Sequence, residues 1–198
     1  MGPNMITTPN PRIVFSHVGV STLNLAKMEE FYTSILGMTV TDRGSTAEFG
    51  FELVFMSTDP NVHHQVVIAN GRPENLPPNT IHPAFGPSIN QISFGVASLS
   101  ELRLAYQKLK ANGYPDDQMM LIDHGIAWSI YFHDPEGNPI EIFADTEWFV
   151  PQPFGVPFDF SISDQEISER TEKMCRAIDK FEPIQKWRAR ISHQMGLS

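Results

Sequence analysis

The sequence has a single cysteine, Cys175, so no disulfide can form within the chain. This scarcity fits a reducing compartment. No apolar run approaches the roughly 18 residues that a membrane-spanning helix needs, and the amino-terminal MGPNMITTPNPRIVF lacks the apolar segment of a signal peptide. We therefore expect a cytoplasmic protein that does not cross a membrane.

Basic residues are also few: 14 Lys and Arg stand against 23 Asp and Glu, and the formal net charge is −9. This balance does not favour a nucleic-acid or anionic-membrane surface. Charged residues make up 19% of the chain and apolar residues 41%, the opposite of a disordered chain. A length of 198 residues suits one ordinary domain or two small modules that share a core.

A pattern of strand, helix and three strands begins at Ile13. The strand-like runs are IVFSHVGVS, MTVTDRG, EFGFELVFMS and HHQVVIANG. Between the first two lies LNLAKMEEFYTSILG, whose apolar residues fall at helical spacing. Ser21 and Thr22 offer a cap for this helix, and Gly37 is a natural stop.

The same pattern returns from Ile89. The strand-like runs are now INQISFGV, MMLIDHG, AWSIYFHD and PIEIFAD. An amphipathic helix follows the first of them, with a capping box at Ser98 and Glu101. The distance from His17 to Gln91, which open the two copies, is 74 residues. The sequence therefore predicts a duplicated unit.

We place the first module at residues 13–70 and the second at 89–145. Residues 71–88 are interpreted as a linker, because the stretch NGRPENLPPNTIHPAFGPS holds five prolines. Residues 146–198 are a carboxy-terminal extension with one or two helices, and its SDQE stretch is a further capping box. We expect the extension to be a cover or a dimer clasp, and a lid over a cleft is the alternative.

The predicted fold class is α+β, with paired βαβββ modules and a helical carboxy-terminal tail. One copy alone would expose a half-covered sheet, whereas two copies can pair their sheets into a curved mixed sheet around a cleft. Strand residues alternate between faces, so every second side chain of each copy is expected to point into that cleft.

Four related positions carry side chains that suit a metal ion. His17 and Gln91 open the first strands of the two copies, and we place His64 and Glu141 in the last strands. Two imidazoles and one carboxylate with open positions suit an octahedral ion such as Fe(II), and an amide is a weak fourth ligand. Each residue alone also fits a surface or hydrogen-bonding role, so the prediction depends on their joint placement.

The choice between two adjacent histidines remains open. Because His63 and His64 alternate faces, at most one of them points into the cleft. His64 is preferred since it shares strand parity with Val66 and Ile68.

Two further residues are candidates for proton chemistry. Tyr131 precedes Glu141 by ten residues in the adjacent hairpin strand, with the same parity, and His124 precedes a glycine. A histidine can act as general acid or base near neutral pH, and a tyrosine hydroxyl can donate to a bound oxygen species. A turn histidine and a packed aromatic are the structural alternatives.

Three stretches resemble the vicinal oxygen chelate superfamily, which includes glyoxalases, bleomycin-resistance proteins and type I extradiol dioxygenases. They are HVGVSTLNLAKMEEFYTSILGM at 17–38, ISFGVASLSELRLAYQKLKANG at 92–113 and DHGIAWSIYFHDPEGNPIEIF at 123–143. The resemblance implies paired βαβββ modules and a divalent metal held by residues of their first and last strands. His17 and Glu141 are the ligands carried over by it.

Within the superfamily the last stretch looks most like the extradiol dioxygenases. Those enzymes have a tyrosine ten residues before the ligand glutamate, as Tyr131 stands here, and an acid–base histidine in an HG pair similar to His124. The spacing between these two is shorter here by two residues. Gln91 departs from the pattern, because extradiol enzymes have their second histidine ligand there, whereas glyoxalase-type lyases tolerate glutamine and use a ligand at the position that resembles His64.

Three functions follow from this resemblance. The first is a ring-cleaving dioxygenase that uses Fe(II) and O2 on a catechol-like aromatic diol, with Phe15, Trp128 and Phe132 as candidate aromatic lining. The second is a glyoxalase-like lyase or epimerase with a non-redox metal, and the third is a small-molecule-binding resistance protein without catalysis. Manganese, zinc and nickel are alternative metals, and we expect a homodimer.

Overall fold

The computed structural model describes residues 14–46, 50–75 and 89–197. By its internal contacts the chain divides into two compact units, Met1–Pro73 and Glu74–Ser198, and each is described by itself. Residue 13 and most of the proposed linker, 76–88, lie outside the described residues. The module boundaries and the pairing of the two sheets therefore stay predictions.

The first unit has the predicted order of strand, helix and three strands. Its elements are β1 (Val18–Thr22), α1 (Leu25–Ser34), β2 (Thr39–Thr46), β3 (Phe51–Ser57) and β4 (Val66–Asn70). The strands form one sheet in the order β1-β4-β3-β2, in which β1 runs parallel to β4 and the other pairs are antiparallel. The sheet is therefore mixed, as the predicted α+β fold requires.

Helix α1 begins three residues later than its predicted cap. Asn24 is the N-cap, and its side chain accepts a hydrogen bond of 3.0 Å from the backbone N of Lys27. The prediction of Ser21 and Thr22 was wrong because both belong to β1. Gly37 has a φ of 70°, the left-handed conformation that ends many helices.

The second unit repeats the pattern. Its module comprises β5 (Ile92–Val96), α2 (Leu99–Ala111), β6 (Met120–Asp123), β7 (Ala127–His133) and β8 (Pro139–Asp145). The module strands follow the order β6-β7-β8-β5, with β5 parallel to β8, so they have the same arrangement as in the first unit. The duplicated architecture predicted from the sequence is confirmed within each unit.

Ser98 caps helix α2 as its sequence predicts, and Glu101 reaches back to Ala97, the residue before the N-cap. The Ser98 side chain accepts a bond of 3.3 Å from the Glu101 backbone N, and the Glu101 carboxylate accepts one of 2.8 Å from the backbone N of Ala97. The helix packs against β7 and β8 and buries Leu102 and Leu109 completely. This packing determines which face of the sheet is left for a site.

The carboxy-terminal extension is an integral part of the second unit. It contains β9 (Trp148–Phe149), β10 (Val156–Pro157), α3 (Asp164–Arg176), β11 (Glu182–Pro183) and α4 (Ile184–Gln194). Strand β10 pairs with β6 and extends the module's sheet, and Trp128 of β7 donates a bond of 2.8 Å to Thr171 of α3. The helical tail is thus confirmed, and it contacts the module through β10 and α3.

Across the described parts of the chain, no helix combines the length and the apolar character that a bilayer crossing requires.

Candidate functional site

Strand alternation explains why a carboxylate interrupts the apolar run of β8. Ile140 and Ile142 are buried on the face that packs against α2, whereas Glu141 points to the opposite face of the sheet. The Glu141 side chain is nevertheless only 7% exposed. A charge in such a place requires polar or ionic partners.

Glu141 has two neutral donors. The amide Nε2 of Gln91 lies 2.6 Å from Oε2 of Glu141, and the Ser93 hydroxyl lies 2.5 Å from the same oxygen. Ser93 is the register partner of Glu141 in the parallel β5–β8 pair, and Gln91 precedes β5 by one residue. The structure thus brings together two predicted site residues, and it adds Ser93, which its position two residues after Gln91 on the same face could have revealed.

Tyr131 faces Glu141 across the antiparallel β7–β8 pair, where the two residues are register partners. Burial raises the pKa of the Tyr131 hydroxyl well above its usual value near 10, and the neighbouring Glu141 carboxylate raises that pKa further. The hydroxyl therefore keeps its proton at neutral pH and can donate a hydrogen bond.

His124 lies beside Tyr131 at the end of β6. Its ring Nε2 is 2.9 Å from the Tyr131 hydroxyl, and its Nδ1 is 2.8 Å from the backbone carbonyl oxygen of Phe154 in the extension. The two rings meet edge to face, with centroids 6.0 Å apart. Glu141, Tyr131, His124 and the Phe154 carbonyl thus form one continuous polar chain across the sheet.

A cavity of about 890 Å³ opens over this chain. A space of this size can hold an aromatic molecule of two rings. The described lining is Asn90, Gln91, Gly113, Tyr114, Asp117, Gln118, Met119, Met120, Ile122, His124, Tyr131, Phe132, His133, Asp134, Pro135 and Pro139.

Only one of the three candidate aromatic residues lines this cavity. Phe132 does so. Trp128 is 5% exposed and its indole N–H is bonded to Thr171, so it belongs to the core beneath the tail. Phe15 belongs to the first unit and is 87% exposed.

In the first unit, two predicted ligands lie together. The rings of His17 and His64 have centroids 4.3 Å apart, and Nδ1 of His64 lies 2.9 Å from Nδ1 of His63. Burial lowers the pKa of His64, and the positive charges that His17 and His63 can carry lower it further. The neutral imidazole is thereby favoured, which is the form that can ligate a metal.

The predicted place of His64 in the last strand was wrong. It lies two residues before β4, which begins at Val66, so parity with Val66 and Ile68 cannot determine where its ring points. The strand registers pair Val18 with Val66 and Ile92 with Ile140, so the residue equivalent to Glu141 is Val67. His17, by contrast, precedes β1 as Gln91 precedes β5. Which of His63, His64 and Gln91 ligates a metal stays a prediction.

The donor chemistry of the second unit fits a divalent cation. Glu141 is a buried carboxylate whose described partners, Gln91, Ser93 and Tyr131, are all neutral, and no described lysine or arginine of this unit forms an ion pair with it. A bound cation would stabilise such a charge. Within either unit, the described residues include no group of three or more His, Cys, Asp or Glu side chains that could hold a metal by itself.

Comparison with known proteins places this geometry in a family. The sequence pattern of the Glyoxalase/Bleomycin resistance protein/Dioxygenase superfamily matches residues 14–142. A crystal structure of a glyoxylase/bleomycin resistance protein/dioxygenase domain from Frankia sp. EAN1pec covers 66% of this chain and 96% of its own, with a TM-score of 0.54 and 18% identity. This likeness concerns the fold alone.

Two curated relatives are enzymes of Rhodococcus globerulus. Biphenyl-2,3-diol 1,2-dioxygenase 2 is 27% identical over 180 residues, which cover 84% of this chain and 86% of the relative. Biphenyl-2,3-diol 1,2-dioxygenase 3 is 26% identical over 142 residues, 70% of this chain and 65% of the relative. The match to the first relative covers 84% of this chain, whereas residues 1–145 make up less than three quarters of it. This match therefore extends into the carboxy-terminal extension.

Proposed function

The chain belongs to the Glyoxalase/Bleomycin resistance protein/Dioxygenase superfamily, and on that premise we propose that it is a metal-dependent extradiol-type dioxygenase that cleaves the ring of a catechol-like aromatic with O2. The observation that carries this proposal is the hydrogen bond of 2.9 Å between His124 and Tyr131, next to the buried carboxylate of Glu141. An acid–base group and a neutral hydroxyl donor thus both line the cavity. The likeness to two biphenyl-2,3-diol dioxygenases supports the same reaction.

The proposed metal ligands are Glu141 and His17, with His64, His63 or Gln91 completing the set. When bound, iron(II) supplies a Lewis acid and a redox partner for O2. In the structure the Gln91 amide N–H groups point to Glu141 and Ser93. This orientation favours a role for Gln91 in holding the carboxylate, in the manner of residues that orient metal ligands.

The protein's own groups move the protons. A hydroxyl of the aromatic diol that enters the cavity would lose its proton to Nε2 of His124, which is within reach of the space beside Tyr131. Tyr131 would then donate its hydroxyl hydrogen to an oxygen of the substrate, because its raised pKa keeps that hydrogen in place. The apolar wall of the cavity, which includes Met119 and Ile122, excludes water from the ring.

The test is anaerobic purification with metal quantification, followed by addition of biphenyl-2,3-diol or catechol in air. We expect iron-loaded protein to take up O2 and form a yellow ring-fission product. Iron-loaded protein that consumes no O2 across a broad panel of catechols would refute the dioxygenase assignment.

A second candidate is a lyase or epimerase with a non-redox metal, and the observation that favours it is Gln91. A side-chain amide is a weaker ligand than the imidazole that an extradiol enzyme has at this position. A carboxylate or histidine would then shuttle a proton at carbon beside a carbonyl group. Exchange of that carbon-bound hydrogen in heavy water, without O2 uptake and with manganese or nickel bound, would distinguish this reaction.

A further inference from the structure

We propose that residues 152–155 of the carboxy-terminal extension are a positioning element that holds the proton of neutral His124 on Nδ1 and leaves Nε2 as the basic nitrogen of the cavity. The catalytic consequence of this proposal depends on the proposed function, whereas the tautomer itself does not. The family's sequence pattern ends at residue 142, so the positioning element lies outside it.

The tautomer follows from what each partner of the ring can do. The Phe154 carbonyl oxygen, 2.8 Å from Nδ1, can only accept a hydrogen bond, so Nδ1 must carry the hydrogen. In neutral His124 the other nitrogen, Nε2, then has a lone pair, and it accepts from the Tyr131 hydroxyl 2.9 Å away. A tyrosine hydroxyl has one hydrogen to donate, so this geometry satisfies both partners.

The neighbouring carboxylate does not compete for the ring. Asp123 precedes His124, but its Oδ1 accepts from the backbone N of Gly125 at 2.7 Å and its Oδ2 from the Thr171 hydroxyl. Both oxygens therefore serve the backbone turn and helix α3. The Phe154 carbonyl is the acceptor that sets the orientation of the imidazole.

Gln152 holds the Phe154 carbonyl in place. Its amide Nε2 donates a bond of 2.9 Å to the backbone carbonyl of His124, and its Oε1 accepts one of 3.0 Å from the backbone N of Phe154. One side chain therefore ties the extension both to the histidine and to the residue whose carbonyl contacts the histidine ring.

Gly155 permits the close approach of the two segments. A Cβ at this position would lie 3.0 Å from Cγ2 of Ile122, and 3.5 Å and 3.6 Å from Nδ1 and Cε1 of His124. Contacts as short as the first are tighter than ordinary packing, so a side chain here would displace the segment or the ring. Glycine is needed at this point for its lack of a Cβ.

The experiment is long-range 1H–15N NMR of the full chain labelled at histidine and freed of paramagnetic metal with a chelator. The His124 signals are identified by their loss in His124→Gln. At neutral pH we expect a protonated Nδ1 and an unprotonated Nε2. In Gln152→Ala and Gly155→Ala, the ratio of Nδ1–H to Nε2–H should fall roughly fivefold, the factor that one lost hydrogen bond produces.

Gly44→Ala is the matched control, because a Cβ there meets nothing within 4 Å and should leave the tautomer ratio unchanged. Gln152→Ala adds no atoms, so it keeps the test valid if Gly155→Ala does not fold. A wild-type His124 with its hydrogen on Nε2, or variants that fold with an unchanged ratio, would overturn the proposal.

Activity then separates this inference from the proposed function. If the dioxygenase assignment holds, both variants should lower kcat for biphenyl-2,3-diol cleavage by up to about fivefold, because the population of His124 with a basic Nε2 falls by no more than that factor, with a smaller change in KM. A tautomer that shifts as expected in a protein without oxygenase activity would refute the function and leave the positioning role standing.

Discussion

Gln91 donates a hydrogen bond of 2.6 Å to the carboxylate of Glu141, which lies fifty residues later in the chain. The pair joins the best-supported predicted metal ligand to the residue that departs from the dioxygenase pattern. Because the contact is direct, the side chain at position 91 would influence a metal bound at the proposed ligand Glu141 even where it is not itself a ligand. Substitutions at both positions should therefore weaken metal binding, and the effect should be larger at Glu141 than at Gln91.

We predict that Glu141→Ala abolishes metal retention, since it removes the only buried charge of the polar chain described in the second unit. Gln91→Ala should weaken metal binding roughly 10- to 100-fold, as the loss of a residue that orients a ligand does. Metal content after gel filtration and competition with a chelator measure both effects. Asp145→Ala, an exposed carboxylate of the same strand, is the control; unchanged occupancy in Glu141→Ala would show that the ligand assignment is wrong.

For the proposed dioxygenase activity, we predict a preference for uncharged catechols over carboxylated ones. Among the described residues that line the cavity there is no lysine or arginine, while two aspartates are present: Asp134, which is buried, and Asp117, which is exposed. Placing an anionic substituent near this carboxylate is unfavourable, so kcat/KM for a carboxylated catechol should be lower by roughly tenfold or more.

The charge explanation can be tested at two adjacent aspartates. Asp117→Asn should reduce the difference in kcat/KM between uncharged and carboxylated catechols. Asp116→Asn should leave that difference unchanged, because Asp116 is bonded to Tyr106 and Lys110 and does not line the cavity. Steady-state rates at two salt concentrations provide the measurement. Equal rates for charged and uncharged catechols would contradict this account.

We predict that Thr171→Val destabilises the protein by about 2–4 kcal/mol. The Thr171 hydroxyl accepts from the Trp128 indole at 2.8 Å and donates to the Asp123 carboxylate, and all three residues are buried. Valine would leave a buried donor and a buried acceptor without this partner. Urea unfolding measures the change.

Thr171→Ser is the matched variant, because it keeps the hydroxyl and loses one methyl group. Its cost should be about 1 kcal/mol. If valine and serine were equally stable, the hydroxyl would not be what attaches helix α3 to the module.

We predict that Asp123→Asn changes the pH dependence of stability. Burial raises the pKa of Asp123 above its usual 3.8, and the hydrogen bonds from Thr171 and Gly125 offset part of that rise. The folded protein therefore holds this proton more tightly than the unfolded chain, so stability is lost as pH rises from about 3.8 through the folded pKa. Asparagine does not titrate, so the free energy of unfolding of the variant should increase relative to that of the wild type as pH rises through this window.

Urea titrations at several pH values between acid and neutral measure the difference. Asp145→Asn is the exposed comparison at the end of β8. A constant difference in unfolding free energy between Asp123→Asn and the wild type across the window would show that Asp123 does not contribute this pH dependence.

Much of the fold could be predicted from the sequence because the patterns that indicate it involve residues close together in the chain. The apolar spacing of α1 and α2, the capping box of Ser98 and the left-handed glycine at position 37 depend on residues within a few positions of one another. The charge at Glu141 could likewise be assigned to a strand face by counting residues. The wrong cap of α1 arose where β1 continues to Thr22, since pairing with β4 extends a strand beyond what its own sequence indicates.

The site was predictable only in part. Gln91 and Glu141 could be associated through the duplication, and His124 and Tyr131 through spacing and resemblance, but His64 was assigned to a strand that begins two residues later. Ser93 and Gln152 were missed. Each takes its role from a partner brought beside it by folding.

The sequence by itself determined a duplicated α+β unit with a helical tail, because periodicity, caps and glycine stops act over one or two turns of chain. Only the tertiary structure decided which atom faces each nitrogen of His124. The Phe154 carbonyl lies thirty residues away in the sequence and belongs to the backbone, so no residue type in the sequence indicates this contact. Strand register and the path of the extension place that oxygen, and both are set by contacts between distant segments.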